Sequence, residues 1–177
     1  MRTTAAAAVL ALGLAGVMAT PAAGALAPYP PTAPTKMKSQ NSQKCADVEA
    51  RSLANGAAVH QWSCVLDNDN NQKWTFEASS AHIGYFRLIN LNSKKCMDVE
   101  GPSYADGAKI HQWECYGTDS QEWKVEYLGD EANTFKLVNR HSGKCMDVEG
   151  WSKDNGAKIH QWTCHGGDDS NQRWNFA

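Results

Sequence analysis

No run of basic residues occurs anywhere in this 177-residue chain, and its formal net charge is only −2. A surface that neutralises nucleic-acid phosphates needs clustered lysine and arginine, so nucleic acid is not an expected partner. A single long apolar run is present, at the N-terminus, and nothing after it could insert the remaining chain into a bilayer. No amphipathic helical pattern extends beyond a turn or two. The paired C-x-x-C knuckles of a zinc site are missing, as are a G-x-S-x-G elbow and a Ser-His-Asp order. Catalytic carboxylate pairs normally occur once, asymmetrically about one bond, whereas the candidate carboxylates here recur three times. A non-enzyme with no metal and no cofactor is therefore expected.

The apolar run itself, Ala5 to Val17 behind Arg2, has the grammar of a secretory signal peptide. Ala23-Gly24-Ala25 is a cleavage site of the A-x-A kind, and Ala25-Leu26-Ala27 is its rival. Residues 1–25 are read as the signal. A linker follows over 26–35, extended by Pro28, Pro30, Pro31 and Pro34. The folded domain is expected over 36–177, outside the cell.

Six cysteines in an exported chain read as three disulfides. The intervals Cys45 to Cys64, Cys96 to Cys115 and Cys145 to Cys164 are all equal (64 − 45 = 115 − 96 = 164 − 145 = 19), which favours pairing within each interval. Closing a loop of about twenty residues stabilises by roughly 3 kcal/mol on the chain-entropy estimate.

The equal intervals belong to an internal repeat. The second unit reads YFRLINLNSKKCMDVEG, DGAKIHQWEC, SQEW; the third reads TFKLVNRHSGKCMDVEG, NGAKIHQWTC, NQRW; the first reads KMKSQNSQKCADVEA, NGAAVHQWSC, NQKW. The step is close to fifty residues (96 − 45 = 51, 145 − 96 = 49), giving units of about 36–84, 85–133 and 134–177. Phe86, Leu88 and Asn90 alternate with Arg87 and Ile89, the period of a strand. Asn55-Gly56, Asp106-Gly107 and Asn155-Gly156 are hairpin signals of the type I′ kind. Three equal β units around one core point to a closed pseudo-threefold architecture, since a solenoid would want more repeats and distinct caps.

Along Ala108 to Cys115 the side chains alternate faces, so Ile110 entering the core would leave Trp113 outside. The same holds for Trp62 and Trp162. An exposed indole offers a flat face on which a sugar ring stacks; the competing reading is that these tryptophans only cover the disulfides. Trp74, Trp123 and Trp174 are read as core residues. Trp151, after Gly150 in a turn, is a candidate extension of the third site. Asp47, Asp98 and Asp147 stand two residues after a disulfide cysteine and can accept two neighbouring hydroxyl donors, or alternatively cap a turn. Asn71, Gln72, Asn171 and Gln172 add amides that both donate and accept. His60, His111 and His160 lie beside their own unit's tryptophan, which favours bonds to ligand or backbone over a shared metal.

These three ordered copies of C-x-D-V, H-Q-W-x-C and Q-x-W resemble the ricin-type β-trefoil lectins and the related carbohydrate-binding modules of bacterial glycanases, from about Lys36 to Ala177. The resemblance implies an all-β, twelve-stranded β-trefoil, a six-stranded barrel capped by three hairpins, with one sugar site per repeat. It places Asp47, Trp62 and Asn71 with Gln72 in the first site, Asp98 and Trp113 with Gln121 in the second, and Asp147, Trp162 and Asn171 with Gln172 in the third. Ser120 stands where the family often has Asn, so the second site is expected to be weaker. Members often carry Gln at the positions of His60, His111 and His160. In the first unit Thr35, Met37 and Ser39 replace the Phe, Leu and Asn of Phe86, Leu88 and Asn90, so its opening strand is expected to pack less well. The function implied is a secreted lectin for galactose- or xylan-type glycans, which could include a glycan-bearing cell surface. The competing class is a secreted protein-binding trefoil such as a hydrolase inhibitor, which would use one asymmetric loop.

Overall fold

The computed structural model describes residues 30–129 and 133–177. The expected signal segment and residues 26–29 of the expected linker lie outside the described residues. The first repeat forms β1 (Thr35–Ser39), β2 (Cys45–Val48), β3 (Val59–Trp62) and β4 (Lys73–Ala78). The second forms β5 (Tyr85–Asn90), β6 (Cys96–Val99), β7 (Ile110–Trp113) and β8 (Glu122–Tyr127). The third forms β9 (Thr134–Asn139), β10 (Cys145–Val148), β11 (Ile159–Trp162) and β12 (Trp174–Phe176). Helical structure among the described residues is confined to short 3-10 turns.

Pairing closes the first and last strands of each repeat into a ring. β1 pairs with β4 and β12, β5 with β4 and β8, and β9 with β8 and β12, all antiparallel. This six-stranded barrel has no free edge. The hairpins β2–β3, β6–β7 and β10–β11 cap it. The closed threefold architecture expected from the repeats, and the all-β trefoil implied by the family resemblance, are therefore the fold.

Period-two patterning decides what faces the axis. Phe86, Leu88 and Asn90 are buried along β5, while Tyr85, Arg87 and Ile89 are only partly so. The capping hairpins contribute Val48, Val59, Val99, Ile110, Val148 and Ile159 to one continuous cluster. Trp74, Trp123 and Trp174 are fully buried, and each indole N–H donates to the backbone carbonyl of Ala46, Met97 or Met146. A buried indole keeps its place when its one polar atom is satisfied in this way. The disulfides join Cys45 to Cys64, Cys96 to Cys115 and Cys145 to Cys164, so each bridge staples the two strands of a cap.

The opening strand is well packed at its centre and incomplete at its ends. Met37 is fully buried. Ser39 Oγ, also buried, has no hydrogen-bond partner among the described residues. At the equivalent positions Asn90 donates to Asn71 O at 3.0 Å and Asn139 to Ser120 O at 2.8 Å. Serine is too short to reach across that turn. At the barrel end where Thr35 lacks a ring, Phe176 stacks on Phe135 at 4.2 Å and meets Phe76 edge-on at 5.4 Å.

The Asn-Gly and Asp-Gly pairs are not type I′ hairpin turns. Gly56, Gly107 and Gly156 each have φ of +82°, but Asn55, Asp106 and Asn155 are not among the residues with positive φ. Type I′ requires both. The side chains are used otherwise: Asn55 Oδ1 accepts from Glu114 N, Asp106 Oδ1 from Thr163 N and Asn155 Oδ1 from Ser63 N. Each turn is thus a dock for the neighbouring repeat.

A buried glutamine completes each dock. Gln61, Gln112 and Gln161 have no exposed surface. Gln61 Nε2 donates to Ser152 O and Asp154 O, both at 2.9 Å, while its Oε1 accepts from Ser42 Oγ at 2.6 Å. Gln112 reaches Ser52 O and Ala54 O, and Gln161 reaches Ser103 O and Ala105 O. The repeats are therefore locked in a cycle, first onto third, second onto first, third onto second.

Candidate functional site

Each repeat carries one cleft on the outer side of its cap. The last residue of β3, β7 and β11 places Trp62, Trp113 and Trp162 at the rim, where they remain 42%, 36% and 38% exposed. Their edges are not free to swing. A β-carbon on Gly156 would lie 3.9 Å from Trp62 Cζ3, one on Gly56 3.6 Å from Trp113, and one on Gly107 3.8 Å from Trp162. Each indole rests on the docking turn of the neighbouring repeat, so its ring plane is set before any ligand arrives.

The floor of the first cleft is a carboxylate held by three side chains. Asp47, mid-strand in β2, pairs across the hairpin with His60. Its Oδ2 accepts from Asn71 Nδ2 at 2.9 Å and Gln72 Nε2 at 2.8 Å, and His60 Nε2 lies 3.1 Å from Oδ1. A carboxylate only accepts, so the His60 proton sits on Nε2 and Nδ1 is left as the second ring atom. The imidazole lies beside Trp62, with ring centres 5.6 Å apart and planes inclined by 21°. A cleft of about 530 Å³ is lined by all five of Asp47, His60, Trp62, Asn71 and Gln72.

The third cleft repeats this arrangement closely. Asp147 Oδ2 accepts from Asn171 at 2.9 Å and Gln172 at 2.8 Å, with His160 Nε2 3.1 Å from Oδ1. Asp147, His160, Trp162 and Asn171 line a space of about 380 Å³. Gln172 stands behind them, fully buried.

The second cleft departs from the pattern. Asp98, His111, Trp113 and Gln121 line a space of about 400 Å³. Asp98 Oδ2 accepts from Gln121 Nε2 at 3.0 Å, but His111 Nε2 has withdrawn to 3.9 Å. Asp98 Oδ1 and His111 Nδ1 are buried without a hydrogen-bond partner among the described residues, Glu100 Oε1 standing 3.9 Å from that Nδ1. Burial holds the His111 imidazole below its ordinary pKa, against the opposing pull of Asp98 and Glu100. Ser120 turns to Thr118 Oγ1 instead. The chain from the disulfide to this position is also two residues shorter than in the other repeats (120 − 115 = 5, against 71 − 64 = 171 − 164 = 7).

The structure therefore brings together the residues singled out in the sequence, three or more to each cleft. In the first and third clefts the histidines bond to the carboxylate itself, and none of the three side chains bonds to backbone among the described residues. Two features escaped the sequence. One is the docking glutamine of H-Q-W, whose threefold recurrence was a signal without an assigned role. The other is the turn after the Asp-bearing strand, a 3-10 turn at Glu49–Arg51 and Glu149–Trp151 and an ordinary turn at residues 100–102, which brings Arg51 and Pro102 to the rims of the first and second clefts as it brings the expected Trp151 to the third.

Comparison with known proteins agrees with this geometry. Residues 32–113, 70–162 and 119–177 match the family described as the ricin-type beta-trefoil lectin domain-like family. Among solved structures the chain is similar to ThreeFoil, a designed threefold-symmetric protein, with 38% identity and a TM-score of 0.73 over 81% of this chain and 96% of that one. It is similar to an exo-β-1,3-galactanase from Clostridium thermocellum at 34% identity and a TM-score of 0.74, covering 83% of this chain but only 30% of the galactanase. The Rhizoctonia solani agglutinin shares the fold at 15% identity, with a TM-score of 0.71 over 85% of this chain and 98% of that one. No curated protein matches the chain. With the family matched in three overlapping stretches that span the described repeats, this chain belongs to the ricin-type β-trefoil lectin domain-like family.

Proposed function

We propose that this protein is an exported, non-catalytic lectin that binds galactose- or xylan-type glycans at up to three clefts, through Asp, His and Trp in each, with Asn71 and Gln72 in the first, Gln121 in the second and Asn171 and Gln172 in the third. The observation that carries the reading is the recurrence, three times, of an exposed indole pinned beside a buried carboxylate. An apolar plate next to convergent hydrogen-bonding groups suits a sugar ring, which has C–H bonds on its faces and hydroxyls at its edge. Asp47 and Asp147, anchored from behind by amides, retain lone pairs toward the cleft and can accept from sugar hydroxyls. In the neutral tautomer with the proton on Nε2, Nδ1 of His60 or His160 is free to accept a hydrogen bond from a further hydroxyl. The second cleft, with Ser120 in place of the asparagine, is the weaker binder. Three disulfides suit an oxidising compartment, in keeping with export.

Shallow clefts of this kind bind single sugars weakly, at about 1 mM or −4 kcal/mol. Two or three clefts engaging one polysaccharide raise the apparent affinity by about 10²-fold or more. Retention on xylan and galactan columns, with a glycan array alongside, tests the reading. Trp62→Ala with Trp162→Ala is expected to abolish retention while the circular dichroism spectrum is preserved. Unchanged retention of a folded double variant refutes the site assignment. Capture of a protein target unaffected by competing sugar would favour the inhibitor class instead.

A further inference from the structure

The three clefts share a floor but differ at the rim opposite the tryptophan plate, where the chain presents Arg51, Pro102 and Trp151. Trp151 is 38% exposed and lines the same space as Trp162. That space, about 380 Å³, is walled by both indoles.

The presentation of Trp151 is built rather than incidental. Its φ is +55°, a left-handed conformation that is uncommon for a bulky side chain. Asn41, from the first repeat, holds that turn. Its Nδ2 donates to Trp151 O at 2.9 Å. Its backbone N–H donates to Ser170 O at 3.2 Å, at the start of the 3-10 turn Ser170–Gln172 that carries Asn171. One residue of the neighbouring repeat thus ties together two walls of the third cleft. Asn92 makes the equivalent bond to Arg51 O at 3.0 Å, so the clamp recurs, but only in the third repeat does it aim an aromatic ring at the cleft. The side chains lining this cleft include Asp147 and Glu149 and no lysine or arginine.

Resting on the carbohydrate-binding reading above, we infer that the third cleft is an extended site for two consecutive units of a neutral glycan. One ring stacks on Trp162 over Asp147, and the next lies against Trp151. Glu149 and Asp147 disfavour acidic sugars there. Asn41 is a positioning residue, acting through the turn it holds.

The test uses the full chain with its indoles labelled by nitrogen-15, the Trp151 and Trp162 signals assigned through Trp151→Phe and Trp162→Phe. Titrations compare xylose with xylotriose, galactose with lactose, and xylotriose with trigalacturonate. For the neutral series that binds, the longer sugar is expected to shift both indole signals and the monosaccharide mainly that of Trp162. Trp151→Ala is expected to reduce the advantage of the longer sugar about fivefold to tenfold, the worth of one aromatic contact. Asn41→Ala should do so in part, with the folded spectrum intact. A wild-type ratio of long to short sugar affinity in Trp151→Ala overturns the extended site, and equal binding of trigalacturonate overturns its neutral preference. Failure of every probe to move any cleft indole would instead refute the carbohydrate reading on which the inference rests.

Discussion

Replacing Ser120 by asparagine should repair the second cleft. The backbone there is already in the right frame: Ser120 O accepts from Asn139 Nδ2 at 2.8 Å, as Asn71 O accepts from Asn90 Nδ2 at 3.0 Å. An asparagine at this position can reach Asp98 as Asn71 reaches Asp47 at 2.9 Å. A hydrogen bond to a buried carboxylate is worth about 1.5–3 kcal/mol. Against it stand loss of the Ser120–Thr118 contact, about 1 kcal/mol, and the ordering and fit of a larger side chain. The net gain is about 1 kcal/mol, equivalent to about 3 °C in melting temperature for a domain of this size. The new amide also faces the ligand, so affinity at the second cleft should rise about fivefold. Calorimetric melting measures the first effect. Titration of a Trp62→Ala/Trp162→Ala background, in which only Trp113 remains as a plate, measures the second. A lower melting temperature together with unchanged affinity would show that the shortened loop, and not the missing amide, disables this cleft.

Two further outcomes follow from other parts of the fold. Gln61→Ala removes three hydrogen bonds, at 2.6, 2.9 and 2.9 Å, and strands two carbonyls of the third repeat; a loss of about 3 kcal/mol is expected in urea unfolding, and a loss below about 1 kcal/mol would show that the repeats hold together without this dock. Acid should weaken the barrel at Asp69. Its bond to Lys36, helped by Lys73 and opposed by burial, lowers its pKa from 3.8 to about 2. A depressed folded pKa means stability that is complete above about pH 4 and is lost as the pH falls toward 2. Urea midpoints between pH 5 and pH 2 should drop in the wild type and drop less in Lys36→Met, and parallel curves would refute the assignment.

Much of the architecture was readable from the chain because the signals are local. Disulfide partners lie 19 residues apart in every repeat. Alternation marks Leu88 and Phe86 for the core without knowledge of their neighbours, and it correctly leaves Trp62, Trp113 and Trp162 at the surface. Repetition did the rest: three equal units, each with one unburied face, can close only around a common axis. The recurring Asp, His and Trp of each site, and the Asn of the first and third, also sit within one repeat, so their grouping could be read before their geometry.

What the sequence determined by itself, then, is the repeat, its strands, its disulfides and the membership of each cleft. The tertiary structure alone decided the interactions that cross repeat boundaries. Gln61 finds its carbonyls 91 and 93 residues away, and Asn41 finds Trp151 across 110; no periodicity within a repeat encodes such a pairing. The Asn-Gly pairs mislead for the same reason, because their side chains are recruited by the next repeat. The structure also decided that the clefts are unequal. A two-residue shortening and one serine leave Asp98 under-bonded, and a single tryptophan, its turn held by a distant asparagine, adds a second aromatic wall to the third. Threefold symmetry is a property of the local sequence, whereas the departures from it depend on which side chain each closed contact brings within reach.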